Sequence, residues 1–486
     1  MSNEIVNLEP KAVWKNFYSL TQVPRPSKHE EKIQDFMLQF GDDLGLETFR
    51  DKVGNIIVRK AATPGMEDRK GIILQAHLDM VPQKNTATKH DFETDPILTV
   101  IDGEWVKAKG TTLGSDNGIG VAAIMTILAS KDIPHGPIEA LFTCDEETGM
   151  TGANGIKPAI LKGDILLNLD SEDEGELYIG CAGGIDVTAE FTYKEVEVPP
   201  FYVPYRISLT GLKGGHSGLD INLGRGNANK ILNQLLIEVS DKFGARLAHF
   251  EGGNLRNAIP RESFATVVVP ESRKSEFKDY VTSFEENART MFHQADPGLM
   301  ITVNATKMPF HLIDEDTQKR LFKSLAEVPN GMISMIKDMP EVVETSTNLA
   351  IVKSKDGKIF IACLLRSSVN ANKMKLSDQM SAIFNKAGAK TMVEGEYPGW
   401  KPDIHSPILE AMKDVYRVHF GKVPAVKVIH AGLECGILGA QYPHWDMISF
   451  GPTIRGPHSP DEKVHIVSVG LFWEYLVETL KHCPAR

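Results

Sequence analysis

Apolar residues recur at helical spacing near the start of the chain, and the pattern then changes to short β-rich runs. The spacing predicts amphipathic helices over 10–22 and 28–44, with Ser27 and Glu30 forming a capping box for the second. VGNIIVRK (53–60), GIILQA (71–76), PIEALFT (137–143) and DILLNL (164–169) predict strands. NGIGVAAIMTILAS (117–130) predicts a buried helix between two of them. Strands alternating with helices predict an α/β fold on a mostly parallel sheet with covered faces.

The pattern changes after about residue 186. KEVEVPPFYVP (194–204) reads as a Pro-rich connector. Beyond it the periodicity predicts helices near 226–239, 273–292 and 314–328, and a strand at FATVVV (264–269). Two alternating runs flank Lys355-Asp356-Gly357-Lys358, and a DG pair between such runs signals a β-hairpin. YPGWKPD (397–403) reads as a return linker, and 404–486 is again α/β. The expected organisation is a catalytic domain from 1–190 and 398–486, with an α+β lid domain, 191–397, inserted into it.

With 486 residues the chain exceeds the ~250–300 at which single cores stop growing. Its 42% hydrophobic and 24% charged residues are those of a globular protein, and the net charge of −11 argues against a nucleic-acid partner. No apolar stretch approaches the ~20 residues of a membrane span, and the N-terminus does not read as a signal peptide. The 5 cysteines are widely spaced without a CxxC pair, which speaks against a disulfide framework or a thiolate zinc site. A cytoplasmic location is expected.

Five metal-capable side chains stand out against this background: His77 in QAHLDMVP, Asp116 in TLGSDNGIG, Glu147 in CDEETG, Asp170 in LNLDSEDEGE and His458 in GPHSPDEKVH. His77, Glu147 and Asp170 follow predicted strands, where sites gather in open α/β sheets. Each has a bland reading alone, as a surface histidine, a turn or an acidic loop; their conjunction points to metal. Five ligands fit two divalent ions sharing a carboxylate and an activated water. Asp116, short and set before a helix, is the candidate bridge. Asp79, two residues from His77, is placed to orient the imidazole, and Glu146 is the candidate general base. Zinc is the expected metal, with cobalt or manganese as alternatives.

LQAHLDMVPQKN, DGEWVKAKGTTLGSDNGIG, GELYIGCAGGID, LKGGHSG, GNANK, LRNAIPRE, EYPGW, IHAGLECG and GPTIRGPHSPDEKVHI extend the pattern along nearly the whole chain. Together they resemble the di-zinc aminopeptidase and aminoacylase superfamily, and within it the bacterial aminoacyl-histidine dipeptidases. The resemblance implies a cytoplasmic homodimer hydrolysing unblocked Xaa-His dipeptides such as β-alanyl-histidine. It implies ligands at His77, Asp116, Glu147, Asp170 and His458, a cis peptide at the bridging aspartate, and Glu146 as acid/base. It also implies that His216 binds the substrate carbonyl oxygen, typically in the partner subunit's site, and that Asn257 and Arg366 bind substrate, Arg366 at the C-terminal carboxylate. Glu434 and Cys435 fall near the site without an assigned role. Asp145, where close relatives tend to carry threonine, adds negative charge near the base. The competing readings are an N-acyl amino acid deacylase or tripeptidase of the same superfamily, and a non-catalytic peptide-binding protein on this fold.

Overall fold

The strands Ile72–His77, Ile138–Thr143 and Ile165–Asn168 are buried at every position, so their apolar runs are covered on both faces. They pair in parallel with one another, and Asp446–Ser449 joins them in parallel from the C-terminal part of the chain. In this computed structural model, which describes residues 4–486, they form the centre of an eight-stranded sheet. The flanks are antiparallel: Glu47–Arg50 and Ile56–Lys60 on one side, Glu176–Cys181 on the other. The fold is therefore α/β with a parallel centre and antiparallel edges.

The helix Ser115–Ala129 is apolar on all sides and buried nearly throughout, packing on strand Ile72–His77 and helix Lys11–Thr21. Fully burying such a side chain contributes about 1.5–3 kcal/mol relative to exposure. Gly120 is needed at the point of closest approach, where a Cβ would lie 2.8 Å from the Leu169 carbonyl oxygen and 2.4 Å from Asn117 Oδ1. The helix start is thereby held against the strand end that carries Asp170.

The chain divides into two units: Met1–Gly180 with Pro402–Val428 and Leu433–Arg486, and Cys181–Lys401 with Ile429–Gly432. The divide falls earlier than the expected boundary at 190. Strand Gly183–Thr192 belongs to the second unit because Ile185, Val187, Ala189 and Phe191 face that unit's core. This core joins a nine-stranded sheet to the helices Ala228–Phe243, Lys274–Phe292, Glu315–Glu327 and Asn370–Lys386. The DG hairpin forms as expected, with Lys355 opposite Lys358 and both turn residues at positive φ.

Two local expectations are corrected. Ser27 does not cap the helix Glu31–Asp43: the helix starts later than expected, with Glu30 at the N-cap position, and the Ser27 hydroxyl donates to Asp79 Oδ2 at 2.8 Å. The connector expected over 194–204 is shorter, because Tyr202–Thr210 is a strand running through Pro204. Proline keeps its carbonyl for pairing and its φ suits extended chain, and the Pro204 carbonyl accepts from Thr306 N.

Candidate metal centre

The parallel strands end where the acids begin. His77 is the last residue of its strand, Glu146 and Glu147 open a short helix just beyond Thr143, and Asp170 lies two residues past Asn168. Asp116 enters from the start of the long helix, and its peptide bond to Asn117 is cis. His458 comes from the loop between strands Ile454–Arg455 and Lys463–His465. All of these belong to the first unit.

Asp116 Oδ1 lies 3.0 Å from His77 Nε2, and Asp170 Oδ1 lies 3.3 Å from the same nitrogen. Asp116 Oδ2 lies 3.3 Å from His458 Nε2, which is 2.9 Å from Glu147 Oε2. One carboxylate thus offers an oxygen to each of two donor sets, His77–Asp116–Asp170 and Asp116–Glu147–His458, with ligand atoms within 4.8 Å of one another in each set. Glu146 forms a third such set with His77 and Glu147. A fourth group, Glu30–Asp79–Asp145, is engaged internally: Glu30 accepts from the Asp145 amide, and Asp145 from the Thr148 and Thr151 hydroxyls.

His77 Nδ1 is 3.1 Å from the Asp79 carbonyl oxygen and 3.3 Å from Asp79 Oδ1. Both neighbours only accept, so the neutral ring carries its proton on Nδ1 and leaves the Nε2 lone pair for a metal. Asp79 also accepts from the amides of Glu146 at 3.0 Å and Glu147 at 3.2 Å, which ties the histidine to the acidic pair.

Burial presses these acids towards neutrality, raising Asp170 to about 6 and Glu146 well above the usual carboxylate range. Burial also opposes ionisation of Asp116, but bonds to His458 and His77 outweigh it and hold its carboxyl low. Hydrogen bonds to Asp116 and Glu147 raise His458 to about 11. Burial works against charging His77, yet Asp170, Asp116 and Asp79 carry it well above its ordinary value. The cluster draws in positive charge. Divalent ions would supply it while leaving the imidazoles neutral as ligands, and the imidazole–carboxylate donors suit zinc, cobalt or manganese.

Several buried groups here had no role assigned from the sequence. Asn117 donates to the Leu169 carbonyl at 2.8 Å and to Asp170 Oδ1, orienting that carboxylate. Glu462 accepts from the amides of Leu113, Gly114, Ser115 and Asp116. Arg25 donates to the carbonyls of Leu78, Asp79 and Gly114. Glu434 is fully buried; its Oε2 accepts from Gln75 at 2.6 Å and Thr143 at 2.8 Å, bracing two strand ends, and it belongs to none of the donor sets.

The second unit holds the remaining candidates. His216 Nδ1 accepts from the amides of Gly218 at 3.2 Å and Leu219 at 3.0 Å. The ring proton of the neutral form is therefore on Nε2, which lies 3.5 Å from Arg366 Nη2. Burial and then the charge of Arg366 lower its pKa, keeping it neutral. Arg366 is 5% exposed, and the groups that accept from it, the Ser217 and Tyr397 hydroxyls, are uncharged. Among the described residues it makes no ion pair. Asn257 is exposed, and its carbonyl accepts from the Ser217 amide.

Residues 73–482 match the model of peptidase family M20/M25/M40. The chain belongs to that family. This M20 peptidase is 44% identical over 484 residues to the cytosol non-specific dipeptidase of Escherichia coli K12, covering 100% of both chains. It superposes with a TM-score of 0.96 on the crystal structure of aminoacylhistidine dipeptidase from Vibrio alginolyticus, at 45% identity over 99% of each chain. A Staphylococcus aureus tripeptidase structure, at 15% identity and a TM-score of 0.57 over 98% of each chain, shares the fold. M20 peptidases are metal-dependent hydrolases of peptide bonds, consistent with the donor sets present here.

Proposed function

We infer that this M20 peptidase is a metal-dependent dipeptidase that binds two divalent ions, zinc foremost, and cleaves unblocked dipeptides, including Xaa-His such as β-alanyl-histidine. The observation carrying this reading is the division of the Asp116 oxygens between two histidine–carboxylate sets. Full-length similarity to two dipeptidases supports the substrate class. The cytosolic location follows the name of the E. coli relative. No described helix is long and apolar enough to cross a membrane.

His77, Asp116 and Asp170 would hold one ion, and Asp116, Glu147 and His458 the other. When bound, the ions supply Lewis-acid polarisation of the peptide carbonyl and lower the pKa of water towards about 7. Glu146 takes a proton from the attacking water and delivers it to the leaving amine. Asp79 holds the His77 tautomer and the backbone that presents Glu146. His216, in the lid and supplied by the partner subunit, donates Nε2–H to the developing oxyanion, where one such donor contributes about 2.7–4 kcal/mol. Arg366, a buried cation among neutral groups, receives the C-terminal carboxylate, with Asn257 contributing to substrate binding. The expected assembly is a homodimer, testable by sedimentation equilibrium.

Arg366→Lys keeps the charge but loses the planar fork. It is expected to raise KM for β-alanyl-histidine by about 10- to 100-fold, the range of one charge-assisted hydrogen bond, with kcat far less affected. Steady-state kinetics measures the split; an unchanged KM removes Arg366 from the carboxylate subsite.

Hydrolysis of a dipeptide panel, N-acetyl amino acids and tripeptides, after chelation and re-addition of single metals, tests the reading itself. Dipeptides should dominate and β-alanyl-histidine should be cleaved. A dominant rate on N-acetyl amino acids or tripeptides would replace this reading with the deacylase or tripeptidase.

A further inference from the structure

The turn Leu113–Asp116 is gripped from two sides by opposite charges. Glu462, 2% exposed, takes the amides: Leu113 N at 2.7 Å and Gly114 N at 3.0 Å on Oε2, and Ser115 N at 2.7 Å and Asp116 N at 3.2 Å on Oε1. The Ser115 hydroxyl adds a bond to Oε1 at 2.6 Å. Arg25, 3% exposed, takes carbonyls: Leu78 at 2.8 Å and Asp79 at 3.2 Å through Nη1, and Gly114 through Nη2. One guanidinium thus joins the turn that presents Asp116 to the segment after His77.

Glu462 is itself anchored. Its amide donates to the Ser459 carbonyl at 3.0 Å, and the next residue begins strand Lys463–His465, paired with Trp105–Ala108. The loop that carries His458 therefore also carries the carboxylate that sets the backbone of Asp116. A ligand of one ion is mechanically linked to the ligand shared by both.

We propose that Glu462 and Arg25 are positioning residues forming a charge-paired clamp, which presets the shared carboxylate so that loss of either partner weakens both metal ions together. Neither side chain belongs to a donor set, so they act through Asp116, His77 and His458. Orienting partners of metal ligands typically change affinity by about 10- to 100-fold when removed. In Glu462→Gln the amide nitrogen meets backbone N–H groups instead of accepting from them, so the turn must shift. Arg25→Lys keeps the charge but cannot span the Leu78, Asp79 and Gly114 carbonyls as a fork.

This inference rests on the two-ion reading, and the experiment separates the two. Zinc is titrated into apo wild type, E462Q and R25K against a chromophoric chelator, and Co(II) absorption spectra are recorded in parallel. Wild type should bind two ions. Each variant should show both dissociation constants raised about 10- to 100-fold with a changed Co(II) ligand-field band. Should E462Q fail to fold, Glu462→Asp, which keeps the charge but draws it back from the amides, takes its place with the same expectation. Variants that lower apo stability yet keep both zinc affinities within about twofold, or that weaken only one ion, overturn the clamp. A wild type that binds a single ion overturns the two-ion reading instead, and the clamp is then judged on that ion's affinity.

Discussion

Glu146→Gln is expected to lower kcat by roughly 100- to 10,000-fold, the range for a lost general acid/base, with bound metal and KM little changed. The substitution preserves volume and leaves the Glu146 amide free to donate to Asp79 Oδ1, as it does at 3.0 Å. It removes only the oxygen that takes the proton. Because Glu146 stands with His77 and Glu147, Glu146→Ala could admit water or open the cluster, so the glutamine variant is cleaner. Single-turnover hydrolysis with metal analysis on the same sample checks it. Activity within tenfold of wild type, at full metal content, would assign the proton transfers to another group.

The second large effect is expected at Asp116. Asp116→Asn replaces one ligand oxygen with an amide nitrogen that cannot bind a cation, so at most one donor set keeps an oxygen from position 116. Metal content should fall below two ions and kcat/KM by at least about 1,000-fold, since the remaining site cannot activate water and carbonyl jointly. Stability provides a readout free of activity. Each wild-type site should gain about 2.7 kcal/mol at free zinc 100-fold above its dissociation constant. Thermal melts with and without zinc should show that gain in wild type and a clearly smaller one in the variant. Equal zinc stabilisation of both proteins would contradict the sharing of Asp116.

The cluster of candidate ligands was legible because topology turns it into sequence. In a parallel sheet the carboxyl ends face one rim, so a histidine or acid just after a buried apolar run is a site candidate; His77, Glu146, Glu147 and Asp170 were found this way. Asp116 stood out because it precedes an unusually apolar helix. The supports were not legible. Glu462 satisfies amides some 350 residues away in sequence, and nothing in PDEKVH distinguishes it from a surface acid. Arg25, in VPRPS, reads as a charged loop residue yet is buried on carbonyls. Ser27 shows the reverse failure: its local pattern fits a cap, but the helix begins at Glu31 and the Ser27 hydroxyl serves the buried Asp79 carboxylate instead. The divide at Gly180 escaped notice because the chain passes between units on consecutive strands, Glu176–Cys181 and Gly183–Thr192, with no connector between them.

Anomalous diffraction from zinc-loaded crystals tests the central claim most directly. The account predicts two peaks about 3.5–4 Å apart, the spacing of two-metal sites, with one oxygen of Asp116 on each. One peak would contradict it, as would two peaks without Asp116 between them.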